Sequence, residues 1–207
     1  MKRILAFLFA VVVLFAALPV TQTFTCANGT PLSTCDANWT TVVGTIDINN
    51  NAARGATALQ YNYAAWTGDT MANDQYVETT ALGFVGVSTS LPGSAVRGSS
   101  SSASAYICIT DGTTGYLQLL TSSSAGTTIA TGAMAATAGD KILLEASGTL
   151  LTCKVNGITV LSGTDATLTG GRAGIVWYGL GATTAIDTWT AGNLSSGAVR
   201  RKAIIFQ

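Results

Sequence analysis

The stretch CKVNGITVLSGTDATLTGGRAGIVWYG, Cys153 to Gly179, decides how the rest of the chain is read. It holds one Asn-Gly pair, one Gly-Gly-Arg and three apolar, strand-like runs. Asn156-Gly157 is the strongest short signal for a two-residue β-hairpin, because a type I′ turn needs positive φ at both central positions. That turn sets Val155 opposite Ile158 and Cys153 opposite Val160. A turn at Ser147-Gly148 would set Leu144 beside Leu151 and Ile142 beside Cys153. Ile142, Leu144, Leu151, Cys153, Val155 and Val160 then share one face, with Lys141, Glu145, Thr152 and Lys154 on the other. This alternation belongs to an antiparallel meander with one buried side. Gly170-Gly171 turns the chain into the next strand, where Trp177 and Tyr178 point to opposite faces.

Working outward, the same pattern recurs. Runs such as WTTVVGTIDI, ATALQYNYAAW, DQYVETT, GFVGVST, AYICIT, GYLQLLT, TTIATGA, KILLEAS and TTAIDTWTA are β-branched or aromatic-rich and bounded by Gly, Asn, Asp or Ser. About a dozen such strands at close spacing indicate an all-β sandwich or barrel. RGSSSSASA, Arg97 to Ala105, reads as a flexible surface loop.

Charged residues make up 10% of the 207, against roughly 25% in an average soluble domain. There is no histidine, which excludes Ser-His-Asp and Cys-His mechanisms and a His-built zinc site. Formal net charge is zero, but five of the ten basic residues lie at the ends: Lys2, Arg3, Arg200, Arg201 and Lys202. The other five face all ten acidic residues, a body charge of about −5. Nucleic acid is excluded as a partner of that body, since backbone binding needs a basic face.

MKRILAFLFAVVVLFAALPVTQTFT opens with Lys2-Arg3, continues apolar from Ile4 to Leu18, then turns polar. This is the form of a secretory signal peptide, with an uncleaved anchor as the alternative. Cleavage falls between Ala17 and Phe24 on this reading. Export implies an oxidising compartment. Cys26 and Cys35 flank the turn-rich ANGTPLST and fit a local disulfide. Cys108 and Cys153 sit in strand-like runs, where a bridge between neighbouring strands and two buried free thiols fit equally. The organisation expected is a signal or anchor over 1–23, a disulfide-looped segment over 24–35, a sandwich domain over 36–194 and a basic tail or edge strand over 195–207.

Three segments carry a family resemblance: DANW (Asp36 to Trp39), GDKILLEASGTLLTCKVNGITVLSGTDATLTGGRAGIVWYG, and the closing AIDTWTAG with Asp187 and Trp189. Together they resemble the concanavalin A-like lectin/glucanase superfamily in its laminin-G-like and pentraxin-like branches. The resemblance implies a jelly roll of two curved antiparallel sheets. Modules of this kind occur in extracellular bacterial proteins and in viral fibres and decoration proteins; many bind glycans and some bind calcium.

The glucanase members carry paired Glu residues in a Glu-x-Asp-x-x-Glu arrangement. This chain has only Glu78 and Glu145, on separate runs. The nearest acidic neighbours in one strand, Asp74 and Glu78, would stand ~13 Å apart, too far for a retaining pair at ~5 Å. The chain is therefore expected to be no enzyme. Asp69, Asn73 and Asp74 in TGDTMAND offer oxygen ligands for calcium, as do Asp47 and Asn49 to Asn51 in a second loop. Ordinary turn chemistry explains both loops equally well. For a glycan, Tyr61, Tyr63, Trp66, Trp177 and Tyr178 offer aromatic platforms, and Arg97 and Arg172 offer hydrogen bonds. The expected function is a secreted, non-catalytic binding or adhesion module, weakly carbohydrate-binding. The alternative is a structural or decoration protein of a virion or cell surface, acting through homo-oligomers or a virion partner.

Overall fold

Alternating buried and exposed side chains fold into two antiparallel sheets. The structure, a computed structural model, describes residues 18–84, 90–181 and 184–194. Most of the expected leader (1–17), most of the expected strand GFVGVST (85–89) and the expected tail (195–207) lie outside the described residues. In chain order the elements are β1 (Val20–Thr23), α1 (Leu32–Cys35), β2 (Trp39–Val43), β3 (Ile46–Asn49), β4 (Ala52–Gly55), β5 (Tyr61–Trp66), β6 (Gln75–Ala81), β7 (Ser90–Gly98), β8 (Ala105–Thr110), β9 (Thr114–Leu120), β10 (Gly126–Ala133), β11 (Lys141–Ser147), β12 (Leu150–Val155), β13 (Ile158–Thr164), β14 (Arg172–Gly179) and β15 (Ile186–Asn193). One sheet runs β13-β12-β11-β6-β15-β4-β3, with β1 also paired to β15; the other runs β10-β9-β8-β7-β14-β5-β2. The two face each other as a sandwich, the jelly roll expected from the sequence.

The meander that anchors the reading is present, with two corrections. Val155 pairs with Ile158 across Asn156-Gly157, both at positive φ. The preceding turn, however, is Gly148-Thr149, with Ser147 opposite Leu150. Gly148 supplies the positive φ at the first central position. Leu144 therefore pairs with Cys153, and Ile142 with Val155. The slip is by two residues, so it leaves every side chain on its expected face. The second correction is a bulge between Cys153 and Lys154, which sets Cys153 opposite Leu161 and not Val160. Leu161 is buried in consequence, and Val160 is only partly so.

Two segments read differently in the sequence belong to the sandwich. Val20–Thr23 pairs with Thr188–Ala191, inside what the sequence assigned to the leader. Ser90–Gly98 forms β7, the centre of the second sheet, between β14 and β8. The sequence reading gives no strand there, because Pro92, Gly93 and Gly98 resemble turn punctuation. Pro92 is tolerated because β7–β8 pairing starts at Gly93, beyond it.

The core between the sheets is centred on Trp39, Trp66 and Trp189, whose ring centroids lie 4.7–5.6 Å apart. Trp177 is fully buried in the same core. Both disulfides form. Cys26–Cys35 closes the small loop that carries α1, as expected. Cys108–Cys153 links β8 to β12 with Cα atoms 6.1 Å apart, so it joins the two sheets and not neighbouring strands.

The Cys108–Cys153 bridge closes a long loop, 45 residues in separation, so its loss should matter more than that of Cys26–Cys35. Chain-entropy arithmetic gives about 4 kcal/mol for the former and about 3 kcal/mol for the latter. Urea unfolding of Cys108→Ala/Cys153→Ala and of Cys26→Ala/Cys35→Ala measures both. Equal stability of the first pair and the wild type would refute the assignment.

Candidate functional site

The second sheet curls so far that its own concave face closes. β5 and β9 stand four strands apart in the sheet order. In a flat sheet that is ~19 Å, yet the Tyr61 hydroxyl donates to Gln118 Oε1 at 2.8 Å. The Tyr61 backbone N–H also donates to the Ser123 carbonyl at 2.7 Å, tying β5 to the β9–β10 turn. Behind this bridge the face is filled. Tyr63, Ala65, Ala95, Ile107, Leu120 and Val176 are all 0% exposed and form a second apolar cluster.

Small residues on the sheet floor make this closure sterically feasible. The Tyr63 ring lies over Gly174, where a Cβ would come within 2.6 Å of its edge, and its hydroxyl lies against Gly98. That hydroxyl is buried and has no hydrogen-bond partner among the described residues.

In front of the bridge a cavity of about 150 Å³ remains, lined by Tyr61, Leu91, Ile109, Tyr116, Gln118 and Tyr178. Tyr61 and Tyr178 meet edge to face, centroids 5.1 Å apart at 65°. Tyr116, Gln118 and Tyr178 are half-buried, so the mouth opens to solvent. Burial, then the neighbouring Tyr178, holds the Tyr61 phenol above its ordinary value of 10.0. No carboxylate, lysine or arginine lines the cavity. It combines aromatic walls with phenol and amide hydrogen-bonding groups, the make-up of a small polar-ligand site.

The structure brings together only part of the set proposed from sequence. Tyr61 and Tyr178 line the cavity, and Tyr63 fills the face behind it. Trp66 and Trp177 are buried in the core between the sheets, so neither ring offers a platform. Arg97 is not in a solvated turn. It is 3% exposed on β7 and donates to the Asn73 and Leu168 carbonyls and to Asp74. Arg172 donates to the Asp69 carbonyl at 2.8 Å. Tyr116, Gln118, Leu91 and Ile109 were missed. Alternation along GYLQLL places Tyr116 and Gln118 on one face, but only the curl of the sheet reveals what they face.

The oxygen atoms offered for calcium are in part already engaged. Asp69 Oδ2 accepts from Trp66 Nε1 at 3.0 Å, and Asp74 Oδ1 accepts from Arg97 and from the Gly148 N–H. Asn73 gives its carbonyl to Arg97. The Arg97 guanidinium thus competes with a cation for Asp74 and for the Asn73 carbonyl. In the second loop Asp47 is paired with Arg54 at 2.7 Å. Among the described residues no cluster of three metal-binding side chains occurs. A larger hollow, about 310 Å³, lies beside Asn73, Asp74 and Arg97, but its charges are already paired with one another.

No protein-family model matches the chain, and no curated protein matches it. Solved structures do. The carbohydrate binding module CBM66 from Bacillus subtilis aligns with a TM-score of 0.58 at 15% identity, over 75% of this chain and 92% of that one. The exoplasmic/lumenal domain of VIP36, in a Ca2+/Man-bound form, aligns at 0.55 and 10% identity, over 78% and 85%. A Bacillus licheniformis β-glucanase aligns at 0.51 and 9% identity, over 85% and 98%. The chain has the concanavalin A-like jelly-roll fold that these share.

Burial also fixes a pH response. It holds the Tyr63 phenol far above its ordinary value of 10.0. Unfolded chains lose that proton near pH ~10 while the folded chain keeps it, so stability falls as pH rises past about 10. Asp140, bonded by Asn156 and Thr137, and Asp165, bonded by Tyr106 and Thr167, sit below their ordinary 3.8. Their contribution is present above that value and lost as pH falls. With no histidine, stability should be flat from about pH 5 to 9. Tyr63→Phe removes an unpaired buried hydroxyl and should stabilise by about 1 kcal/mol while weakening the alkaline fall. Denaturant titrations across pH check both, and a marked destabilisation by Tyr63→Phe would show that the hydroxyl has a partner.

Proposed function

We propose that this chain is an exported, non-catalytic carbohydrate-binding module whose site is the cavity in front of the Tyr61–Gln118 bridge. The observation that carries the reading is the lining: three tyrosines and a glutamine around about 150 Å³, on the concave face of a fold whose solved neighbours include a carbohydrate binding module and a mannose-bound lumenal domain. Tyrosine faces suit the apolar faces of sugar rings, and phenol and amide groups suit sugar hydroxyls. Support for a non-catalytic role comes from the carboxylates. None lines the cavity, and Glu78 and Glu145 are paired with Lys141 and Lys154. Retaining hydrolysis needs two carboxylates ~5 Å apart at the bond to be cut.

Export is supported by the basic-apolar leader and the two disulfides. No helix among the described residues is long and apolar enough to cross a membrane. A cleavage early in the Ala17–Phe24 window keeps β1 in its sheet. Assembly on a virion or cell surface has no structural observation of its own behind it.

Isothermal titration and a glycan array with the mature domain test the function. Tyr178→Ala should weaken glycan binding about tenfold or more, about 1.4 kcal/mol, in a variant whose circular dichroism shows it folded, the loss of its contact with Tyr61 lowering the melting temperature as well. Unchanged affinity in a folded Tyr178→Ala variant would move the site elsewhere.

A further inference from the structure

The cavity is closed on one side. On the mouth side Tyr116, Gln118 and Tyr178 are half-buried and reach solvent. On the other side Tyr61 and Gln118 meet across the concavity at 2.8 Å. Beyond them the floor residues Ala65, Ala95, Ile107 and Val176 are 0% exposed. An extended chain needs an open furrow with room on both sides of each bound unit, and among the described residues the Tyr61–Gln118 bridge closes one of those sides. The volume, about 150 Å³, is well below the roughly 300–1,000 Å³ of sites for drug-sized ligands.

Its charge is equally restrictive. Arg54, Arg97, Lys141 and Lys154 are each ion-paired, and Arg172 is bonded to the Asp69 carbonyl. None of these cations lines the cavity, nor does any carboxylate. A charged sugar would lose its water there without gaining a counter-ion, at a cost of several kcal/mol.

Resting on the carbohydrate reading above, we infer that the cavity takes a single, terminal, uncharged sugar unit end-on and rejects both chain interiors and acidic or amino sugars. Tyr61 and Tyr178 form two walls of the pocket, Leu91 and Ile109 add apolar surface, and Gln118 with Tyr116 supplies hydrogen bonds to hydroxyls.

The test has two stages, run on the mature domain. An array of neutral and acidic glycans first identifies a binder. Calorimetry then compares the di-, tetra- and hexasaccharide of that glycan, the free monosaccharide of its terminal unit, and the same glycan with its terminus chemically capped. The expected result is affinity that varies less than about threefold with length, competition by the monosaccharide, loss on capping, and no binding of acidic analogues. Affinity that rises about tenfold with each lengthening, or that survives capping, overturns the terminal-unit inference and leaves carbohydrate binding intact. An acidic glycan as the best binder overturns the neutrality inference. No binding to any glycan by folded protein overturns the carbohydrate reading and this inference together.

Discussion

Tyr63 rests on two glycines, and much of the second sheet's shape follows from that contact. Its ring lies over Gly174 and its hydroxyl against Gly98, both positions where a Cβ would collide. Curvature in a sheet is set by what each face must hold, and glycines mark where a strand bends or admits a neighbour. On the inner face of this sheet stand Trp66, Tyr106, Leu117, Ile175 and Trp177. On the outer face stand Gly93, Ala95, Gly98, Ala105 and Gly174 beneath the tyrosines. Where these small residues lie, the larger side chains of the same face settle close to the backbone, and the Tyr61 hydroxyl meets Gln118 Oε1 at 2.8 Å.

A sheet filled on both faces has a sequence consequence. Strands β5 and β8, YNYAAW and AYICIT, are buried at every position, as expected where both faces are covered. Strand β6, in the other sheet, alternates buried and half-buried without a break. The low charge of the chain follows from the same fact. With the central strands of one sheet covered on both sides, fewer positions remain where a charged side chain keeps its water, and the five basic residues of the body are all engaged with oxygen partners.

What was legible in the sequence was what depends on neighbours along the chain. Asn156-Gly157, the alternation over Ile142 to Val155 and the opposed Trp177 and Tyr178 all state their faces locally. The Ser147/Gly148 choice was off by one turn position because either placement keeps the same face buried, so the pattern does not discriminate. Strand β7 was invisible for a different reason. Its Gly93 and Gly98 are small because the β8 backbone and Tyr63 press on them, and a tertiary demand for small residues looks, in sequence, like a loop. The role of Arg97 is illegible on the same ground: its partners Asn73, Asp74 and Leu168 are distant in sequence. Four of the six lining residues are not legible in the sequence, and of these Tyr116 and Gln118 acquire their role only when β9 comes to face β5.

Closure of the concave face also determines what kind of site it can hold. On an open face, binding residues are free to be added along the groove, and affinity grows with the length of chain engaged. On a filled face a ligand can bind only where the filling stops. Here that boundary is Tyr61, which packs edge to face on Tyr178 within the cavity wall and hydrogen-bonds Gln118 to seal the interior. The same side chain therefore belongs to the second core and to the site. Its rotamer is fixed by packing before any ligand arrives, and little ordering entropy is left to lose on binding. A pocket of this construction gains affinity from preorganisation more than from contact area, and discriminates by shape and by the direction of a few neutral hydrogen bonds.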